Sequence, residues 1–248
     1  MRIALLTYFA ADNYGATLQA YATVKALEQC GHEVELVNFV IPEPPRSLIK
    51  NTILYPKHMK FECFRTKYFR HLTRRYKSVK ELQDDPPKAD CYLVGSDQTW
   101  NPDISLHMAK GFFLDFGDEK VLRASYAASF GKDNWEDTRW MKAEDAKRYL
   151  GRFDFVSVRE TSGIKLLNEL LGVEKVTQVL DPVLLFESYP ELTGKITFSD
   201  DIVLYKLVNS SDFYDKCREI SRQMFLPLRS IGSIRRVKDV KSCYPESV

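Results

Sequence analysis

The chain has 248 residues, of which 44% are hydrophobic and 28% are charged, a composition typical of a globular protein with one large domain or two small ones. Its net charge of +2 gives no support for a nucleic-acid partner. Five cysteines without CxxC spacing argue against a disulfide framework or a metal site and favour a reducing compartment. No run of about 18 apolar residues occurs, so we expect no transmembrane helix and a cytoplasmic protein.

The first forty residues have the pattern of a strand, a helix and a second strand. Apolar residues at 2–7 predict a buried strand rather than an export signal, because a helical pattern over 15–30 follows directly. Gly31 is suited to end that helix, since glycine adopts the left-handed conformation without steric cost. Alternation over 33–38 predicts the second strand. Such a unit is the building block of a parallel α/β sheet with right-handed crossovers.

The next segment is predicted to be helical after an interruption. Three prolines between residues 42 and 45 break regular structure. Aromatic residues at helical spacing predict a helix over 61–76. Ser78 followed by Glu81 resembles a capping box, which predicts a short helix ending near Asp84.

Strands and helices continue to alternate beyond this point. The predicted strands are 91–94, 122–127, 155–158 and 176–180, and the predicted helices are 137–149 and 161–171, with Thr161 as the cap of the second. This alternation favours an α/β fold with a Rossmann-like parallel sheet domain over residues 1–183.

A second, smaller domain is predicted over residues 184–248. Prolines after Asp181 mark an interdomain linker, and two strands and a helix follow at 202–208, 228–231 and 211–224. Residues 244–247 resemble a helix start with no helix after it. We therefore expect an incomplete second Rossmann-like domain, in a chain that is truncated relative to a two-domain protein.

Six blocks of the chain resemble, in order, the polysaccharide pyruvyl transferase family. They are 13–21, 94–102, 113–116, 125–131, 157–160 and 179–182. The resemblance implies two Rossmann-like domains in a GT-B-like arrangement. It also implies transfer of a pyruvyl group from phosphoenolpyruvate to a sugar of a cell-surface polysaccharide, with ketal formation and no further cofactor. A histidine motif similar to Ser-Phe-His-Gly, which the family carries in its second domain, is absent here.

This reaction needs cations for the donor's carboxylate and phosphate, an acid for the enol methylene and a base for the attacking hydroxyl. Arginine suits the donor because its planar fork binds both anions. Arg159, directly after a predicted strand and inside a family block, is our donor-binding candidate, with Glu160 beside it at the substrate. The alternative for Arg159 is a structural ion pair with Glu160 or a neighbouring acid.

The loop 94–102 follows a buried strand, and ligands of parallel sheets bind at the carboxyl ends of strands. Asp97 and Gln98 are candidates for binding or activating the acceptor hydroxyls, the alternative for Asp97 being an Asx-turn that satisfies loop amides. Ser96 and Asn101 are expected mainly to organise the loop. Trp100 is expected to pack rather than to stack on a sugar.

Two other loops occupy similar positions. Asp12, Asn13 and Gly15 lie at the first strand-to-helix turn and are candidates for ligand contact or for helix capping. This turn lacks the GxGxxG spacing of dinucleotide sites. Ser129 follows another strand in the same way.

The segment 57–80 carries nine Lys or Arg residues and one acid, Glu62. It is either a solvated face or an electrostatic dock, and the dock would take a phosphate-linked or lipid-linked sugar acceptor or the anionic inner face of a membrane. None of the four histidines lies where the acid catalyst is expected. Two other functions remain compatible with the fold, a GT-B-type glycosyltransferase and a non-catalytic carbohydrate-binding homologue.

Overall fold

The computed structural model describes residues 1–40, 48–193, 199–205, 210–231 and 240–243. The chain divides into two compact units, Met1–Glu187 and Ser188–Val248. The proline-rich stretch and the helix start predicted at 244–247 lie outside the described residues.

The described residues of the first unit form six parallel strands. They are β1 (Arg2–Leu6), β2 (Glu33–Leu36), β3 (Cys91–Val94), β4 (Leu122–Ser125), β5 (Val156–Val158) and β6 (Val176–Gln178). A four-stranded sheet has the order β2-β1-β3-β4, and β5 pairs with β6. Isolated bridges from Ala124 to Phe155 and from Ala128 to Val158 place β5 beside β4. The predicted α/β class and parallel sheet are confirmed.

Helices connect these strands. They are α1 (Tyr14–Gln29), α2 (Leu48–Tyr68), α3 (Val79–Asp84), α4 (Pro102–Ser105), α5 (Ala109–Phe112), α6 (Ala143–Leu150) and α7 (Thr161–Lys165). Single turns of 3-10 helix cover Leu106–Met108 and Pro182–Leu185, and α7 continues as a π-helical turn over Leu166–Leu170.

The first helix forms where the sequence predicts it. Asn13 Oδ1 accepts a hydrogen bond from Ala16 N at 3.1 Å, which satisfies one of the free amides of the first turn. Gly31 ends the helix with a φ of +80°. Ser78 caps α3 as predicted, since Glu81 N donates to Ser78 Oγ at 3.2 Å, but the Glu81 carboxylate accepts from Lys77 N at 2.9 Å, so the reciprocal bond of a capping box to Ser78 N is not made.

The predicted helix over 61–76 is wrong at both ends. Helix α2 begins at Leu48 and ends at Tyr68, and the chain then runs beside β2. Leu36 N donates to His71 O at 2.8 Å, and Tyr76 N donates to Asn38 O at 2.8 Å. The N–H and C=O groups of the segment after α2 thus form hydrogen bonds with the open edge of β2 and the residues after it, whereas in a longer helix they would have bonded within the helix.

Two other helix starts differ from the prediction. Helix α6 begins at Ala143 because the Asp137 carboxylate accepts from Ala143 N at 2.8 Å, so residues 137–142 form a loop instead. This bond and one from Trp135 lower the pKa of Asp137. Thr161 does not cap α7: Glu160 is the capping residue, and Thr161 Oγ1 donates to Gln178 Oε1 at 3.2 Å.

The core of the first unit is built largely around aromatic residues. Trp100 is 0% exposed, and its Nε1 donates to Phe112 O at 3.1 Å. Its ring stacks on Phe113 with a centroid distance of 5.8 Å. Trp100 is therefore a packing residue, with no face left for a sugar.

The second unit has its own parallel sheet. Strands β7 (Ile202–Tyr205), β8 (Leu228–Ile231) and β9 (Val240–Cys243) pair in that order, after a short helix α8 (Pro190–Thr193). Helix α9 (Ser211–Met224) has the predicted bounds, as does β8. Leu204, Tyr214, Cys217 and Leu228 form a small core. Strand β9 was not predicted, and residues 206–208 of the predicted strand at 202–208 lie outside the described part.

Candidate active site

The carboxyl ends of the parallel strands carry the polar loops of the first unit. Strand β1 pairs with β2 on one side and with β3 on the other, so the chain changes direction across the sheet between β1 and β3. In open parallel sheets such a switch point opens a crevice at the carboxyl edge. The loops that follow β1 and β3 meet there, where Thr7 Oγ1 donates to Ser96 O at 2.8 Å.

A cleft of about 1550 Å³ lies at this edge. One wall is formed by α2 and the extended segment after it, and the floor by the loops after β1 and β3. Polar side chains along it include Tyr8, Asp12, Asn13, His58, Glu62, Arg65, Arg70, Arg75, Asp97 and Gln98. The cleft is large enough for a sugar with an attached group.

Asp12 joins the floor of the cleft to its wall. Its Oδ2 lies 2.9 Å from His58 Nδ1, and its Oδ1 lies 3.1 Å from Arg65 Nη2. Arg65 is buried and also binds Glu62, with Nε 3.1 Å from Oε1. Asp12 is thus held between a histidine and a buried arginine, while its neighbour Asn13 caps α1.

Asp97 is held by its own loop and by the next one. Its φ of 78° is a left-handed conformation that costs energy for a residue other than glycine. The carboxylate accepts from Gln98 N at 2.8 Å, and the carbonyl accepts from Ser129 N at 3.0 Å. The carboxylate therefore satisfies one loop amide while it lines the cleft.

Gln98, Asn101 and Gly131 fit together closely. Asn101 Nδ2 donates to Gln98 Oε1 at 2.9 Å, and Asn101 Oδ1 accepts from Asp103 N at 3.1 Å to cap α4. Gly131 has a φ of +69°, and a Cβ there would lie 2.1 Å from Gln98 Oε1. Asn101 organises the loop, and the absence of a side chain at Gly131 leaves room for Gln98.

Arg159 is fixed by Asp181 rather than by Glu160. Its Nη1 donates to Asp181 Oδ2 at 2.9 Å, and Ser96 Oγ donates to the same oxygen at 3.0 Å. Ser96, Arg159 and Asp181 together are called the Asp181 cluster below. The Arg159 side chain is 31% exposed, and its Nε and Nη2 have no partner among the described residues, so they are available to an anion.

Glu160 instead binds Ser129. Ser129 Oγ donates a hydrogen bond to Glu160 Oε1, and it accepts one from Gly131 N at 3.0 Å. Glu160 Oε2 is buried and has no hydrogen-bond partner within the described ranges. This pair connects the loop after β4 to the residue that precedes α7.

The structure therefore separates the predicted site residues into adjoining groups. Asp12, Asn13, Asp97 and Gln98 line the cleft. Ser96 and Arg159 lie in the Asp181 cluster, and Ser129 pairs with Glu160. Gly15 lies in the first turn of α1, where its position would place a Cβ 3.4 Å from Asn13 Oδ1.

Sequence reasoning missed several site residues. Asp181 was interpreted as part of a linker, although it lies in a family block that could have identified it. His58 gave no local signal, since its partner Asp12 is 46 residues away. Tyr8 also lines the cleft, and burial, reinforced by the charge of Asp97, raises the pKa of its phenol. That phenol is therefore protonated, and able to donate, at neutral pH.

The carboxyl edge of the parallel sheet thus presents an arginine with two N–H groups that have no partner among the described residues, beside the carboxylate and amide side chains of the cleft. A family model of the polysaccharide pyruvyl transferases matches residues 13–236, which is most of the chain. The chain therefore belongs to the polysaccharide pyruvyl transferase family, as the six blocks indicate. No curated protein showed a significant match. In the described part of the chain, no helix is both long and apolar enough to cross a membrane.

Proposed function

We propose that this protein transfers a pyruvyl group from phosphoenolpyruvate to a sugar of a cell-surface polysaccharide and forms a ketal. Family membership supports the transferase class and a polysaccharide acceptor. The observation that supports phosphoenolpyruvate as the donor is the environment of Arg159. Its guanidinium is oriented by Asp181, while Nε and Nη2 remain without partners among the described residues. Two parallel N–H donors match a carboxylate or a phosphate.

The acceptor is proposed to bind in the cleft. Asp97 and Gln98 lie on the floor and offer groups that bind sugar hydroxyls. Arg70 and Arg75 lie on the wall and make no ion pair with any described residue, whereas Arg74 pairs with Asp85 at 2.8 Å. A cleft with hydroxyl-binding groups on one side and free arginines on the other suits a sugar carrying a phosphate, as in a lipid-linked acceptor.

We also propose that the protein works in the cytoplasm at the inner face of the membrane, in a GT-B-like arrangement with the second unit as the other Rossmann-like domain. Two cations of the basic segment are paired with acids: Lys80 lies 2.8 Å from Asp84, and Arg65 lies 3.1 Å from Asp12. Arg70 and Arg75 are the cations that we expect to meet anionic lipid or a lipid phosphate.

The donor is tested by calorimetry with phosphoenolpyruvate and by mass spectrometry of the acceptor, which should gain one pyruvate less one water, with release of inorganic phosphate. Arg159→Gln should abolish donor binding because it removes both free N–H donors. Arg139→Gln is the control, since Arg139 lies over Trp140 outside the site. Saturable binding of a nucleotide sugar without phosphoenolpyruvate binding would instead indicate a glycosyltransferase, and glycan binding with neither donor a non-catalytic protein.

The acceptor and membrane parts are tested with vesicles of phosphatidylcholine containing phosphatidylglycerol. Arg70→Gln/Arg75→Gln should lower vesicle binding and raise the KM for a phosphate-linked sugar, while the KM for phosphoenolpyruvate stays unchanged. Arg139→Gln/Arg148→Gln removes the same charge elsewhere and serves as the control. Equal binding by both double variants would contradict a specific role for the cleft wall.

A further inference from the structure

His58 and Asp12 form a carboxylate–imidazole pair at the cleft. His58 Nδ1 lies 2.9 Å and 3.2 Å from the two carboxylate oxygens of Asp12. A carboxylate can only accept at this distance, so Nδ1 carries the proton. In the neutral ring the lone pair is then on Nε2, which fixes the tautomer.

The pair is held by further bonds. Arg65 Nη2 donates to Asp12 Oδ1 at 3.1 Å, and Arg65 Nη1 reaches Ala11 O at 3.4 Å. The arginine is 6% exposed, so it anchors the carboxylate from the buried side. Within the described ranges, the charged groups in contact with the Asp12–His58 pair are Glu62, near the imidazole, and Arg65, on the carboxylate. The carboxylate of Glu62 comes within 3.9 Å of Nε2, beyond hydrogen-bond distance.

The free side of the imidazole is accessible from the cleft. The His58 side chain is 48% exposed and lines the same cleft as Asp97 and Gln98. Its Nε2 makes no hydrogen bond with the described residues. A basic nitrogen oriented by a carboxylate, beside a place for a hydroxyl, is the arrangement that activates hydroxyl nucleophiles.

We propose that His58 is the general base for the acceptor hydroxyl and that Asp12 is its positioning residue. This inference rests on the proposed function. As the hydroxyl oxygen forms its bond to C2 of the enolpyruvyl group, Nε2 takes the hydroxyl proton, and the former double-bond electrons bind a proton from solvent at the methylene carbon. The bond from C2 to the phosphate oxygen then breaks, and the phosphate leaves with the electron pair. A second hydroxyl attacks C2, closes the ketal and releases its proton to solvent, and the imidazolium returns its proton to solvent. In the net balance the two hydroxyls lose two protons, the new methyl group gains one and inorganic phosphate gains the other.

Turnover with phosphoenolpyruvate and a phosphate-linked sugar is compared between wild type, His58→Gln and His58→Ala. We expect His58→Gln to lower kcat by about 100-fold or more with unchanged affinity for phosphoenolpyruvate, because a general base contributes at least that much. Added imidazole should restore part of the activity of His58→Ala, which a purely structural role would not allow. His71→Gln, an exposed histidine beside β2, is the matched control.

The pair itself is tested without turnover. Long-range ¹H–¹⁵N NMR of the histidine rings should show the Nδ1–H tautomer at His58 in the wild type and a mixture in Asp12→Asn, with His71 unchanged. The same tautomer mixture in both proteins would overturn the positioning role of Asp12. Normal turnover by His58→Gln would overturn the role of His58 alone. Absence of any ketal from the wild type would overturn the proposed function and the reaction assigned to His58 with it.

Discussion

The Nη1 atom of Arg159 lies 2.9 Å from Oδ2 of Asp181, although 22 residues separate the two along the chain. The other carboxylate oxygen of Asp181 accepts from Val183 N at 3.0 Å and so starts the 3-10 turn after β6. Ser96 Oγ completes the set at 3.0 Å. One carboxylate therefore fixes the end of β5, the loop after β3 and the turn after β6 at the same point.

Replacing this carboxylate should loosen the arginine. We expect Asp181→Asn to raise the Kd of phosphoenolpyruvate by about tenfold, equivalent to about 1.4 kcal/mol, because the guanidinium loses the charged partner that orients it. Isothermal titration calorimetry measures this change. Asp145→Asn, which removes only a surface pair with Arg148, should leave the Kd unchanged. An unaltered Kd in Asp181→Asn would mean that Arg159 does not need Asp181 for orientation.

A side chain at Gly131 should destabilise the protein both through its backbone conformation and through a clash with Gln98. Gly31, which has a similar conformation without a clash, separates the two effects. Gly31→Ala places a Cβ in open space at a φ of +80° and should cost about 1 kcal/mol from conformation alone. Gly131→Ala has a similar φ but meets Gln98 at 2.1 Å, and it should cost about 2–4 kcal/mol. Urea unfolding measures both. Adding Gln98→Ala should recover part of the loss, and equal costs for the two glycines would disprove the clash.

Arg123 should be essential for stability. It is 1% exposed, and its guanidinium donates to backbone carbonyls between Leu114 and Val121, including Phe116 O at 2.9 Å. Arg123→Met should cost about 3 kcal/mol because buried carbonyls lose their donors. Arg139→Met is the exposed control and should change little. Thermal unfolding by circular dichroism measures both, and a cost below about 1 kcal/mol would contradict this role.

Stability should decrease at alkaline pH partly through Cys91. Burial, with smaller effects from Asp154 and Asp90, raises the pKa of its thiol from 9.0 to about 11. The folded state thus holds this proton more tightly than the unfolded chain does, so the free energy of unfolding falls as pH rises from about 9 to about 11. Denaturant unfolding at several pH values should show a shallower fall in Cys91→Ala. Exposed Cys30→Ala is the control, and identical slopes in all three proteins would contradict the prediction.

Short apolar runs were reliable guides to the fold, and capping residues were reliable at Asn13 and Ser78 but not at Thr161. Cys91–Val94 is buried on both faces, so its sequence is continuously apolar, and Asn13 caps α1 through its own side chain. Helical spacing misled beyond Tyr68, where Tyr76 is buried but its backbone bonds to Asn38 and Val40, just after β2. The periodicity of side chains indicates which residues are buried. It does not indicate that a neighbouring strand has unpaired backbone groups with which these residues can form hydrogen bonds.

The positions of the candidate site residues were predictable where these residues directly follow strands. Their bonding partners were not predictable, because the partners come from other strands of the sheet. Asp97 and Arg159 were located by the loops after β3 and β5. The partners that fix them, Ser129 N and Asp181, come from other strands, and no local pattern indicates such pairs. His58 was likewise given no role beyond its place in the basic segment 57–80, because only the folded chain brings it to Asp12.

The distances along the chain between bonded site residues have a consequence for synthesis. Ser96 and Asp181 are 85 residues apart, and Asp12 and His58 are 46 apart. Because the chain leaves the ribosome from its N-terminus, the Asp12–His58 pair can form early, whereas Arg159 and Ser96 can be bound only after Asp181 has been synthesised. A nascent chain halted before that residue would carry an arginine with no carboxylate to hold it, so the orientation of Arg159 should appear abruptly, with the turn that follows the last strand of the first unit.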